Sequence, residues 1–174
     1  IHIGCGLHRF ENFDNWTFIT LVFLIKKEKL YTHDFRYKLP FKDNVYDGAF
    51  SEHTIEHLYF KDSKFLFSEI YRVLKKSSIF RCTVPGLELY IENYREKKND
   101  EYFSTFENGC DALRDLSNNW GHLNVWDKQT LKRELLNAGF SSVMICKFNE
   151  GENKELVKDL KDRAYMTIYL EAKK

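Results

Sequence analysis

Residues 45–85 hold the arrangement that most restricts the fold. An apolar run, "VYDGAF" (45–50), is followed by a segment of helical period, "DSKFLFSEIYRVLKK" (62–76). A second apolar run, "SIFRCTV" (78–84), comes next and is stopped by Pro85-Gly86. In the middle segment Leu66, Ile70, Val73 and Leu74 recur on one helical face, with Asp62 or Ser63 available as a cap. The second run reads as a buried strand. Short apolar runs alternating with helical segments give an α/β layered fold with a mainly parallel sheet.

The same alternation extends in both directions. "IHI" (1–3) reads as the end of a first strand, truncated at the chain start, and strand candidates follow at 17–25 and 29–34. Leu87, Tyr90, Ile91 and Tyr94 mark another helix. The polar stretch 98–121, broken by Gly109, reads as short helices in an insertion, so that 87–122 forms a partial lid. A helix over 127–138 is capped by Asp127, turns Leu131, Leu135 and Leu136 inward and stops at Gly139. Strands at 141–148 and 164–172 close the chain, the last alternating Tyr165, Thr167 and Tyr169 against Met166, Ile168 and Leu170. No repeat or linker interrupts the pattern, and 174 residues suit one domain, 1–174, with a substantial core.

A net charge of +1 without a long Lys/Arg block argues against nucleic acid binding through a broad basic surface. The longest apolar run, "FITLVFLI" (18–25), falls well short of the ~20 residues that cross a bilayer. It also lacks the leader and cleavage site of a signal peptide, so no membrane association and a cytoplasmic setting are expected. Cys5, Cys82, Cys110 and Cys146 are far apart with no C-x-x-C pair, and are expected as reduced core thiols.

Gly4-Cys5-Gly6 directly follows the first strand. Glycines there permit a tight strand-to-helix turn and let a ligand approach bare backbone. Asp34 ends the run "KLYTHDF" and is expected at the carboxyl edge of the sheet, where open α/β sheets bind ligands. Residues 53–57 spell H-x-x-E-H, the zinc signature of one class of metalloproteases. On a helix His53 and His57 would share a face, but here the string begins where a strand ends. Glu134 is the one candidate third ligand, on a helix better explained as covering the sheet. The string is therefore read as strand–loop–helix chemistry, with no metal expected.

Taken in order, "HIGCG", "HDFRYKLPFKDNVYDGAFSEHTIEHL", "LFSEIYRVLKKSSIFRCTVPGLELY", "WGHLNVWDKQTLKRELLNAGF" and "YLEAKK" resemble class I S-adenosylmethionine-dependent methyltransferases. More narrowly they resemble the small type 11 group, often associated with sugar or cell-envelope biosynthesis. The resemblance implies a Rossmann-like three-layer sandwich: a seven-stranded, mostly parallel sheet with an antiparallel last strand and helices on both faces. It implies S-adenosylmethionine as cofactor, with Gly4, Cys5 and Gly6 near its methionine part and Asp34 near the adenine amine. Ser51, Glu52 and His53 would leave the fourth strand beside the transferable methyl. Three departures stand out. Thr20 occupies the place of the acid that grips the ribose, so a neutral hydrogen bond replaces charge-assisted ones. Lys76-Ser77-Ser78 replaces a Pro-Gly-Gly turn, and Gly86 replaces an acid in "VPGL".

Methyl transfer from a sulfonium requires alignment and exclusion of water, and a hydroxyl acceptor also needs a base. His53 is the candidate base, with Glu52 beside it to bind the acceptor or orient a histidine. His57, Trp120 and His122 are the candidate acceptor-side residues. Three readings follow: a methyltransferase acting on a small molecule such as a sugar or cell-envelope precursor; a methyltransferase-like binding protein without chemistry; and a zinc hydrolase using His53, Glu56 and His57. Neither the acceptor nor the oligomeric state is legible.

Overall fold

The computed structural model describes residues 1–5, 9–17, 30–96 and 102–174. Seven strands form one sheet: β1 (His2–Ile3), β2 (Asn15–Thr17), β3 (Leu30–Thr32), β4 (Tyr46–Glu52), β5 (Leu74–Pro85), β6 (Ser142–Cys146) and β7 (Thr167–Lys173). Their order is β3-β2-β1-β4-β5-β7-β6. β1 to β5 pair in parallel, whereas β7 runs antiparallel to both β5 and β6. This is the Rossmann-like sheet with an antiparallel last strand that the sequence implies. Most of the strand candidate at 17–25 lies outside the described residues.

Four helices accompany the sheet among the described residues: α1 (Phe60–Val73), α2 (Leu87–Glu96), α3 (Gly109–Asn118) and α4 (Lys128–Asn137). On α1, Leu66, Phe67, Ile70 and Val73 are buried against the sheet in one core with Leu131 and Leu135 of α4. The helix starts earlier than its sequence suggests. Tyr59 is the N-cap, without a side-chain hydrogen bond, and Asp62 sits inside the first turn where its charge suits the helix dipole. Leu74 has already passed into β5. α4 begins as expected, with Asp127 accepting from the Thr130 N–H at 2.7 Å. Gly139 ends it at φ +111°, a conformation that favours glycine. Leu136, however, is exposed, because a ten-residue helix lying on a sheet has only a narrow inward stripe. Gly109 opens α3 rather than breaking a helix, with Asn108 as the cap.

The opposite face of the sheet carries a smaller cluster of Phe50, Ile79 and Leu156, with Phe10 and Phe13 packed against it. There β5 also buries a charge. Arg81 is fully enclosed, donating to both Asp159 oxygens at 2.8 and 2.6 Å, to Glu171 at 3.1 Å and to the Glu150 carbonyl at 2.9 Å. This cluster pins the irregular segment 147–160 to the sheet. A third cluster joins Tyr90 of α2 and Phe103 to Ala112 and Leu116 of α3, with Tyr165 and Met166 packed against it. No disulfide links the four cysteines; Cys5 and Cys82 are buried, but Cys110 is exposed and Cys146 half-buried, so only two are core thiols. No described helix is long and apolar enough to cross a membrane.

Candidate active site

The strand order reverses between β1 and β4, so the connections leaving these two strands diverge and open a crevice at the carboxyl edge of the sheet. Gly4 and Cys5 leave β1 there, and Ser51, Glu52 and His53 come to the same edge from β4, with Ile3 paired to Ser51. Gly6 and Thr20 lie outside the described residues. Gly4 has φ +74°, and a Cβ on it would overlap the Thr54 side chain. Glycine is therefore demanded here by Thr54 as well as by the bend. The Cys5 N–H donates to the Trp16 carbonyl at 2.8 Å, and burial pushes the thiol up to about 11, which suits a space-filling role. Asp34 lies two residues past β3. Arg36 grips both its oxygens, through Nε at 2.9 and 3.1 Å and Nη2 at 2.6 Å, and holds the carboxyl below its usual range.

Next to this edge is a cavity of about 460 Å³. Its walls include His53, Glu56, His57, Trp120, His122 and Arg163, together with the rings of Tyr90, Tyr102 and Tyr165. Ser51 and Glu52 do not line it. Ser51 is fully buried inside β4, and its hydroxyl finds no hydrogen-bond partner among the described residues. Glu52 turns towards the opposite face, where Oε1 accepts the Leu160 N–H at 3.0 Å. Burial raises its carboxyl to about 7, partly offset by that hydrogen bond and by the charge of Arg163.

His53 sits just past β4 at φ +46°, a left-handed conformation uncommon for a residue with a side chain. Its Nε2 is 2.8 Å from Thr167 Oγ1. That hydroxyl donates to the Arg163 carbonyl at 2.7 Å, so it accepts from His53 and leaves Nδ1 as the ring's lone pair. Burial, aided by Arg163, His122 and His57, lowers His53 to about 3 and keeps it neutral.

The H-x-x-E-H string does not occupy a long helix. Ile55–His57 is a single 3₁₀ turn, and α1 starts only at Phe60. Glu134 is remote from it, bonded to Arg133 at 2.7 Å. The group that does arrive is His122. Trp120 at φ +62° and Gly121 at φ +75° reverse the chain after α3, and the N–H groups of Leu123 and Asn124 both donate to the Glu56 carbonyl, at 2.8 and 3.1 Å. This stitching brings the His122 ring to within 5.0 Å of the His57 ring, centroid to centroid. Trp120 itself is 74% exposed at the cavity rim, its Nε1 donating to Asp115 at 3.2 Å.

The Glu56 carboxylate is enclosed by the three imidazoles. His53 Nδ1, His57 Nε2 and His122 Nε2 lie 3.8, 3.9 and 4.0 Å from the same oxygen, Oε1. Neither carboxylate oxygen has a hydrogen-bond partner among the described residues. Burial raises Glu56 to about 8, and burial lowers His57, the Gly121 carbonyl opposing. The signal that would have exposed this arrangement is the pairing of "EH" at 56–57 with "GH" at 121–122, two segments that only the tertiary fold brings together.

Known proteins agree with this architecture. A methyltransferase-domain family model matches residues 24–82, about a third of the chain. No curated protein matches it in sequence. Among solved structures, an S-adenosylmethionine-dependent methyltransferase of Thermotoga maritima, a possible histamine N-methyltransferase, superposes with a TM-score of 0.63 at 18% identity, over 99% of this chain and 80% of that one. One from Archaeoglobus fulgidus gives 0.61 at 19% identity over 99% and 84%. One from Mesorhizobium loti gives 0.58 at 14% over 99% and 89%. The likeness to S-adenosylmethionine-dependent methyltransferases read from the order of the motifs thus holds at the level of the fold.

Proposed function

We propose that this chain, with its methyltransferase fold, transfers a methyl group from S-adenosylmethionine to a small-molecule acceptor, a sugar or cell-envelope precursor being the class favoured. The carrying observation is the crevice at the β1/β4 reversal opening beside an aromatic-walled cavity. Gly4 and Cys5 would hold the methionine part of the cofactor, with Gly6, and Asp34 the adenine, with Thr20 near the ribose. The Ser51 hydroxyl, which finds no partner among the described residues and is paired through its strand to Ile3, supports a polar ligand group at this point. When bound, S-adenosylmethionine supplies an already activated methyl, so the protein's task is alignment, water exclusion and proton removal.

The hydroxyls of Tyr90 and Tyr102 are engaged by Met166 at 3.3 Å and Asp115 at 2.6 Å, which leaves their ring faces as wall. That wall suits the apolar face of a sugar ring, with Arg163 available to an anionic substituent. His53 is the proposed proton acceptor: its Nε2–H is committed to Thr167, and Nδ1, a weak base because of its burial, would take the proton only as the new O–C bond forms and makes the hydroxyl acidic. Glu52 acts through position, tying 160 to the end of β4, while Trp120, His57 and His122 border the acceptor.

Calorimetry with S-adenosylmethionine and transfer of a labelled methyl to a panel of sugars test the reading. Binding without any transfer would leave a binding protein, and no heat at millimolar ligand would remove the cofactor assignment. His53→Ala should abolish turnover while leaving cofactor affinity nearly intact; equal turnover in the variant removes the base.

A further inference from the structure

The ring protons around Glu56 are fixed by what each histidine touches on its outer side. His57 Nδ1 lies 3.3 Å from the Gly121 carbonyl and His122 Nδ1 lies 2.7 Å from the Leu116 carbonyl. A carbonyl only accepts, so each Nδ1 carries a proton and, in the neutral ring, each Nε2 is a bare lone pair. Both Nε2 atoms face Glu56 Oε1, at 3.9 and 4.0 Å. The Glu56 side chain is 2% exposed, and its oxygens have no hydrogen-bond donor among the described residues. With His53 Nδ1 at 3.8 Å, three ring lone pairs therefore converge on one buried carboxyl oxygen, a charge-poor point that either a proton on Glu56 or a cation can occupy.

We propose that Glu56, His57 and His122 bind a divalent transition-metal cation, zinc being the best match, in the wall of the cavity. Two imidazoles and one carboxylate form a zinc donor set that leaves one position open. Magnesium and calcium prefer oxygen ligands throughout. Donation of the outer ring N–H to a backbone carbonyl is the usual support of a metal-ligating histidine, and both rings have it. The three ligand atoms lie within 4.8 Å of one another. Zinc bonds of about 2.0–2.1 Å at tetrahedral angles would set ligand atoms about 3.4 Å apart. The two histidine–carboxylate distances must then close by about half an ångström and the widest separation by up to about 1.4 Å, a movement open to His57, which is half-buried on a one-turn helix.

The open position faces the cavity. There the cation would orient an acceptor oxygen and lower its pKa, a role that rests on the methyltransferase reading; the binding itself does not. The string 53–57 thus regains a metal, with His122 rather than Glu134 completing the set and without a metalloprotease helix.

The test is a titration of chelator-stripped protein with Co²⁺, read by its visible absorption, and with Zn²⁺, read by calorimetry, both without S-adenosylmethionine. The expected result is about one ion per chain, with Glu56→Gln and His122→Ala each weakening it by at least about a hundredfold. His33→Ala, on a half-buried ring that does not line the cavity, should bind as the parent does. Urea unfolding of each variant verifies that it is folded, and either variant alone suffices if the other is not. Absence of stoichiometric binding to the folded parent overturns the site, as does binding unchanged in a folded Glu56 or His122 variant. A separate titration with S-adenosylmethionine reads the methyltransferase assignment, so the two can fail independently.

Discussion

Replacing Arg81 by methionine tests whether burial, rather than distance, makes an ion pair matter in this fold. Arg81 Nη2 and Asp159 Oδ2 are 2.6 Å apart, as are Lys75 Nζ and Asp47 Oδ1. The first pair has 0% side-chain exposure on both sides, the second 46% and 86%. Arg81→Met leaves Asp159 and Glu171 buried without their cation, and removing one partner of a buried pair costs about 3–5 kcal/mol. With a urea slope of about 2 kcal/mol per molar, the unfolding midpoint should fall by roughly 2 M. The thermal midpoint should fall by about 10 °C. Lys75→Met removes a pair worth about 0.2–1 kcal/mol and should shift the urea midpoint by less than about 0.5 M. The double variant Arg81→Met/Asp159→Leu should recover part of the loss, because one orphaned charge goes with it. Equal losses in the Arg81 and Lys75 single variants would refute the reasoning, since Arg81 differs from Lys75 in its burial and in the further partners, Glu171 and the Glu150 carbonyl, that burial encloses with it.

Gly4→Ala should lower stability by more than about 1 kcal/mol, because φ is +74° and the new methyl meets Thr54; urea unfolding reads the loss, and unchanged stability would mean that the turn relaxes freely. Asp127→Ala should cost about 1 kcal/mol by removing the cap on the Thr130 N–H, visible as a thermal shift of about 2–4 °C. Glu69 is held below its usual value by Arg72, burial opposing and the Leu39 N–H adding. A depressed folded value stabilises the protein above the unfolded value near 4.5, and that contribution disappears as pH falls through the folded one. Glu69→Gln should accordingly be less stable at pH 7 and show a flatter decline below pH 4.5, measured by unfolding across pH.

The sheet was legible because its strands and helices carry periods that local sequence can express. The α1 stripe and "SIFRCTV" bury what their pattern says they bury, and of "VYDGAF" Ala49 and Phe50 do so, whereas Val45 at its start is exposed. Boundaries were less legible. Asp62 looks like a cap, but the chain leaving the 3₁₀ turn at 55–57 enters α1 three residues earlier, with Tyr59 in the cap position. Leu136 looks inward-facing until the width of contact between α4 and the sheet is known.

Sequence alone determined the α/β layering, the glycine bend after β1, the cap of α4 and the arrival of His53 at the edge of β4, because each depends on neighbours a few residues away. Only tertiary structure decided what faces what. Arg81, in the middle of an apolar strand, is neutralised by Asp159 and Glu171, which lie 78 and 90 residues further on. Likewise Glu56 meets His122 because two left-handed residues turn the chain after α3 and two backbone hydrogen bonds hold it to the 55–57 turn. Charge compensation and ligand convergence are long-range properties, set by the path of the chain rather than by any local period.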